Sequence, residues 1–245
     1  MNAERIVSSW LYAEIETACS LYRLSRSTVK AILILPIVIF VLYCLLLSIP
    51  LTRYQALWLL QESHPVEWVT FALLLATAVH GVVLTLRARR HNEGLLLVGF
   101  YALFSAGLFF TAMEEVSWGQ WIVDFETPES IKRINKQGEF NVHNLEMFGG
   151  HLEFVRILFG VGGLVGLWLS SLPSFRKIGV PRILVLWFLV ITVHAGIDLY
   201  NDFIPIHEKA DFYINRLNEL TELLIGVAGF LYLKLNATML AREWH

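Results

Sequence analysis

Residues 31–50 read AILILPIVIFVLYCLLLSIP, an unbroken run with no charged side chain. A helix of that length rises about 30 Å, the depth of a bilayer's hydrocarbon core. The same search along the chain finds six windows: Ala31–Pro50, Val66–Leu86, Gly94–Met113, Phe154–Leu172, Ile183–Tyr200 and Leu220–Leu240. Backbone amides in lipid have no water to bond, so spans of this kind must be helical unless a barrel closes. No ten-residue alternation of polar and apolar positions points to a barrel. The expected fold is therefore all-α, a polytopic six-transmembrane-helix bundle.

Composition agrees. Of 245 residues, 56% are hydrophobic and 16% charged, more apolar surface than a soluble core hides. Nineteen Lys+Arg against 21 Asp+Glu give a net charge of -2, so no basic surplus points to nucleic acid. Cys19 and Cys44 form no CxxC and fall in different environments, which predicts neither a disulfide nor redox chemistry.

Residues 1–30 read as a cytoplasmic amphipathic leader ahead of a membrane domain over 31–245. Ile6, Trp10, Leu11, Ile15, Ala18 and Tyr22 recur at helical spacing, as in a helix on the membrane surface. Glu4, Glu14 and Glu16 argue against a cleaved signal peptide. Alternate connections hold twelve and seven basic residues, so the positive-inside bias predicts both termini in the cytoplasm. The acids divide the opposite way, five inside and 16 outside.

Ionisable groups at span edges cost free energy unless paired, hydrated or ion-bound. The outer ends collect them: His64 and Glu67 open the second span, Glu114 and Glu115 close the third, His194 and Asp198 close the fifth, and Asn218, Glu219 and Glu222 open the sixth. His194 and Asp198, four apart, share a helix face and can share a metal or a proton; such a pair is equally a structural hydrogen bond. Glu114 and Glu115 lie about 100° apart on a helix, so one of them faces a common site. If that helix continues, Glu114 aligns with Ser117 and Trp118; Gly119 is a candidate turn. Trp118 and Trp121 also suit an interfacial aromatic belt.

The long extracytoplasmic loop, residues 114–153, is expected to be partly helical. Thr127-Pro128-Glu129 resembles an N-cap followed by a first-turn proline, opening a short helix toward Gln137-Gly138. Further on, His143 and Glu146 have metal-compatible spacing, with His151 and Glu153 after them. Elsewhere, Gly160, Gly162, Gly163 and Gly166 predict close helix packing within the bundle. The Asn236-Ala-Thr238 sequon falls at the inner end of a span, out of reach of a glycosyl transferase.

The run Glu114-Glu-Val-Ser-Trp-Gly-Gln120, with Phe125-Glu-Thr-Pro-Glu129, Asn135-Lys-Gln-Gly-Glu139 and Asn141-Val-His-Asn-Leu145, resembles a stretch of uncharacterised bacterial polytopic membrane proteins. That resemblance implies the bacterial inner (plasma) membrane and no particular activity. A looser similarity is to the CREST superfamily of alkaline-ceramidase-like membrane hydrolases, which gather His, Asp and Ser around zinc. Those proteins have seven spans with a histidine pair in the last, whereas the sixth span here has no histidine.

The leading expectation is a metal-dependent hydrolase of a lipid or lipid-linked substrate at the outer leaflet. Glu114, His143, His194 and Asp198 are the expected ligands of a divalent metal, zinc for hydrolysis with iron or manganese equally suited. Glu222 is the expected general base and Glu115 a second catalytic carboxylate, with Glu67, Trp118 and Glu219 at the substrate. The alternative is a non-enzymatic membrane component, an ion-coupled carrier or a partner-binding subunit. In a third reading the acids merely hydrogen-bond a capped bundle.

Overall fold

The computed structural model describes residues 3–61, 63–135, 138, 140–141, 153–204 and 206–244, with side chains described from Leu11 onward. Among these the architecture is all-helical. Two hairpins form the frame: α4 (Pro65–Arg90) with α5 (Leu95–Glu115), and α8 (Glu153–Leu169) with α9 (Val185–Phe203). Between them lies α10 (Glu208–Glu243), whose 36 residues run about 54 Å against both α4 and α9. On the flank, α2 (Arg26–Ser48) packs on α9 and on the short α3 (Pro50–Leu59), and α1 (Ala3–Tyr22) closes one end. Two single-turn helices, α6 (Gln120–Val123) and α7 (Glu129–Lys132), follow α5.

Five described helical stretches are long and apolar enough to cross a membrane: α2, α4, α5, Arg182–Phe203 and α10. The fourth expected span coincides with α8, which has 17 residues and rises about 26 Å. Burial separates the roles of the others. Only 11% of the apolar window of α2 is buried against 61% in α10, so α2 offers its side chains to lipid and α10 is the axis.

Short polar signals end the helices. Ser25 caps α2 by accepting from the Thr28 amide at 3.1 Å, and Pro50 and Pro65 occupy first-turn positions of α3 and α4. Where α8 meets α9 the packing depends on glycine. A Cβ on Gly163 would lie 1.8 Å from the Phe188 ring, and one on Gly160 would lie 3.0 Å from the Thr192 amide. Gly162 faces open space, so the close-packing face runs through positions 160, 163 and 166.

Pro36 interrupts α2 and has no N–H to give to the carbonyl four residues back, Ile32. The buried Trp187 of α9 supplies that donor, its Nε1 reaching the Ile32 oxygen at 2.7 Å. A proline gap in one helix thereby becomes the hydrogen bond that docks it on another.

The turn end of the α8–α9 hairpin is the basic end of the bundle, and it is closed by neutral and charged bonds alike. Three consecutive carbonyls are taken by buried side chains. Tyr101 donates to Lys177 and Tyr232 to Ile178, each at 2.7 Å, and Asn236 donates to Gly179 at 3.0 Å. The sequon asparagine is thus a buried structural donor. Around the rim Lys177 pairs with Glu93 at 2.7 Å and with Glu243 at 3.2 Å, and Trp244 donates to Glu93 at 2.8 Å. The leader helix docks here too. Ile15, Ala18 and Tyr22 are buried, Arg182 pairs with Glu14, and Arg242 donates to the Ser20 carbonyl at 2.7 Å.

Two predictions follow from these contacts. Trp187→Phe leaves the half-buried Ile32 carbonyl unpaired and is expected to cost about 1 kcal/mol or more in detergent unfolding. Pro36→Ala restores an intrahelical donor, so the double variant should lose markedly less than the sum of the single changes. The second concerns pH. Burial raises the Glu93 carboxyl, but bonds from Lys177 and Trp244 outweigh it and hold it below its ordinary value of 4.5. Lys177 is held above 10.5, chiefly by its bond to Glu93. The Glu93 contribution is therefore present above pH 4.5 and lost as pH falls through its lowered folded value. The Lys177 contribution is present below pH 10.5 and lost as pH rises through its raised value. Glu93→Gln should flatten the acid limb of a pH–melting profile.

Candidate functional site

At the opposite, acidic end, α5 finishes and α8 begins, and the centre is a cation. Arg156 sits one turn into α8, only 6% exposed, with its guanidinium forked between two helices. Its Nη2 meets Asp198 Oδ2 of α9 at 2.8 Å, and its Nη1 meets Glu222 Oε1 of α10 at 2.9 Å. Asn218 of α10 lies beside the same Asp198 carboxylate. A buried charge is expensive unless paired and hydrogen-bonded, and this fork satisfies two carboxylates with one guanidinium.

One turn deeper on α9, His194 is 4% exposed and bonds Thr221 of α10, Nδ1 to Oγ1, at 2.9 Å. The Thr221 hydroxyl spends its only proton on the Leu217 carbonyl at 3.0 Å, so Nδ1 is read as the protonated nitrogen. Phe40 of α2 meets the imidazole edge-on at 5.5 Å. The buried Nε2 makes no hydrogen bond among the described residues, although the Ile214 carbonyl lies nearby. His194 and Asp198 therefore share a helix face, as their spacing predicts, yet each is held by a different partner.

The end of α5 brings the other acids. Glu114 and Glu115 are both 8% exposed. Glu115 stands within electrostatic reach of Glu222, Glu219, Glu67 and Glu114. Glu67 accepts from the Ser63 amide. The helix stops at Glu115 instead of running through Trp121. Ser117, Trp118 and Gly119 then take three successive left-handed conformations, with φ of 46°, 53° and 89°. That reversal returns the Trp118 indole N–H to the Glu114 carboxylate and seats its ring 5.4 Å from Phe110. Both features suit anchoring of the turn, and the glycine accepts the backbone conformation most readily.

The motif residues after α5 form one hydrogen-bonded knot. Asn141 donates to Ser117 at 3.2 Å, and Asn135 donates to the Asn141 side chain at 2.8 Å. Gln120 donates to Thr127 at 2.9 Å and accepts from the Phe140 amide at 2.9 Å. The helix expected to open at Thr127-Pro128 is the single turn of α7, with Pro128 itself in the capping position. His143, Glu146 and His151 lie outside the described residues.

Among the described residues no three His, Cys, Asp or Glu side chains are placed together to hold a metal ion. What the fold brings together is Asp198 with Glu222 through Arg156, while Glu115 lies within electrostatic reach of Glu67, Glu114, Glu219 and Glu222. It does not gather Glu114, His194 and Asp198 into one ligand set. The residue missed by sequence reasoning is Arg156, counted there as one of several outer cations. Its signal was available: an arginine within an apolar helical run needs a buried partner. Thr221 carried no such signal. No protein family, curated protein or solved structure matches this chain.

Removing the fork's cation alone should be severe. Arg156→Met leaves two carboxylates without their partner, with an expected loss of about 3–5 kcal/mol in detergent unfolding. Adding Asp198→Asn and Glu222→Gln to that variant should recover most of it. Failure of the triple variant to recover would assign the loss to packing.

Proposed function

We propose that this chain is a multi-pass protein of the bacterial plasma membrane, crossing it six times with both termini cytoplasmic and the acidic end extracytoplasmic. The distribution of basic residues supports the sidedness, and the resemblance of the Glu114–Leu145 stretch supports the bacterial setting. At the acidic end, its carboxylate and imidazole groups bind a divalent cation and act on a lipid or lipid-linked substrate as a hydrolase. The observation that carries this reading is Glu115, buried among four other carboxylates while the Arg156 guanidinium is committed to Asp198 and Glu222. Surplus negative charge in a poorly hydrated chamber is relieved by a cation or by protons.

The donor set fits in part. Carboxylate oxygens with the Nε2 of His194 suit manganese, iron or zinc. A bound divalent ion would supply an acidified water. Because Glu222 holds Arg156, the general-base role falls to Glu115, with Glu67 and Glu219 placed toward the substrate's polar head. Trp118 serves the fold of the turn.

The second reading is a non-enzymatic component, ion-coupled or partner-binding, in which the same acids carry protons. It is favoured by the completeness of the Arg156 fork, which already satisfies two of the site's acids. Elemental analysis of detergent-purified protein, before and after chelation, separates the two. The hydrolase reading expects stoichiometric divalent metal, reduced about tenfold or more by Glu115→Gln and by His194→Ala, since either change removes a ligand worth at least 1.4 kcal/mol. Metal-free protein with an intact melting transition would reject that reading and leave the non-enzymatic one.

A further inference from the structure

Two ionisable groups interrupt the apolar runs of α4 and α10 far from the acidic end, His80 and Lys234. Their helices pack together, and the His80 ring lies 6.3 Å from that of Phe230, one turn before Lys234. Arg87 stands seven residues after His80, on the same face of α4. Measured from the level of His80, Lys234 lies about 6 Å and Arg87 about 10 Å nearer the basic end. Both cations are exposed, and both stand within electrostatic reach of the His80 ring. The wall beside them is apolar, with Val83 and Phe230 also exposed. We propose that this face of α4 and α10 binds one acidic phospholipid of the surrounding bilayer. The headgroup phosphate would rest between Arg87 and Lys234, and an acyl chain along Val83 and Phe230.

Charge selects that occupant. Every described Asp or Glu side chain at the basic end already has its cation: Glu14 pairs with Arg182, Glu16 with Arg26, Glu93 with Lys177, and Glu243 with Arg176 and Lys177. Among the described residues Arg87 and Lys234 share in none of these ion pairs. A cation without a counter-ion is costly at membrane depth, and Lys234 lies inside the apolar window of α10. The phosphate of a lipid supplies the missing charge, as basic pockets between membrane helices do for acidic headgroups elsewhere. A zwitterionic lipid would bring its own ammonium against two cations, so the net charge of the headgroup decides.

The inference rests on the membrane crossing of the proposed function and not on its hydrolase. In the sidedness proposed there, the basic end meets the cytoplasmic leaflet, the one that carries anionic lipid.

The test is native mass spectrometry of the full chain in detergent, titrated with phosphatidylglycerol or with phosphatidylcholine of the same chains. Wild-type protein should retain one phosphatidylglycerol in preference to phosphatidylcholine. Arg87→Gln and Lys234→Gln should each weaken retention about fivefold and together about thirtyfold, the scale of one and two lost cations at an acidic headgroup. Both side chains are exposed, so the melting temperature should stay unchanged. Arg89→Gln is the control. It removes the same charge about 200° around α4 from Arg87 and should leave retention as it was. Equal retention of the two lipids, an equal loss with Arg89→Gln, or a dimer that retains no lipid overturns the inference. Extraction of membranes with alkaline carbonate judges the crossing separately: protein that stays in the membrane yet shows no lipid preference defeats this inference alone.

Discussion

The acidic end depends on one guanidinium. Arg156 is buried, and its two terminal nitrogens hold Asp198 of α9 and Glu222 of α10 at 2.8 and 2.9 Å. Each of the three ions would be costly alone in a poorly hydrated setting, and each is tolerable only through the other two. The fork therefore fixes where α8, α9 and α10 meet, which aligns the hairpin with the central helix. Glu115 takes no part in this fork. Glu115, facing Glu222, Glu219, Glu67 and Glu114, carries the consequence.

The basic end solves the same problem differently. There the largely buried backbone of the α8–α9 turn is matched carbonyl by carbonyl to Tyr101, Tyr232 and Asn236, and its charges alternate in sign around Lys177. Neutral bonds bear the burial and the ions stay near the rim, where solvent reduces their desolvation cost. Electrostatic complementarity is satisfied at one end and strained at the other. That asymmetry is the reason to look for chemistry at the acidic end and for stability at the basic one.

Much of the frame was legible in the amino-acid sequence because apolar length is a local property. The run at 31–50 becomes α2, and the windows around residues 66, 94, 183 and 220 all fall in helices. Local signals also revealed the small-residue face of α8 and the turn at Gly119. Pairing across helices was not local. Nothing near Pro36 announces Trp187, which lies 155 residues away, and nothing near Asn236 announces the carbonyl of Gly179. The same limit applied at the site. Spacing correctly put His194 and Asp198 on one face but could not say that Thr221 would take the first and Arg156 the second. Nor did the Ser-Trp-Gly-Gln motif reveal that its side chains help to close a left-handed reversal. A run of three positive φ angles is a feature of tertiary context that no periodicity encodes.

The interior between the two ends bears on what the acidic chamber can do. Below Thr221, the buried positions of α10 are Leu224, Ile225, Gly226, Ala228 and Gly229 before Tyr232 is reached. The facing parts of α5 and α9 contribute Leu108, Ala112, Phe188 and Ile191. The buried hydroxyls at that depth, Thr77 and Ser105, donate to carbonyls one turn back in their own helices at 2.6 Å each, so they are consumed locally. A carrier needs polar groups that hand an ion across the dielectric barrier, each within reach of the next. Beside this apolar stretch stands His80 of α4, its ring 6.3 Å from that of Phe230 on α10 and its buried Nε2 without a hydrogen bond among the described residues. The two readings proposed above therefore divide at this histidine: a hydrolase confined to the acidic end has no use for it, whereas an ion-coupled component would draw on it.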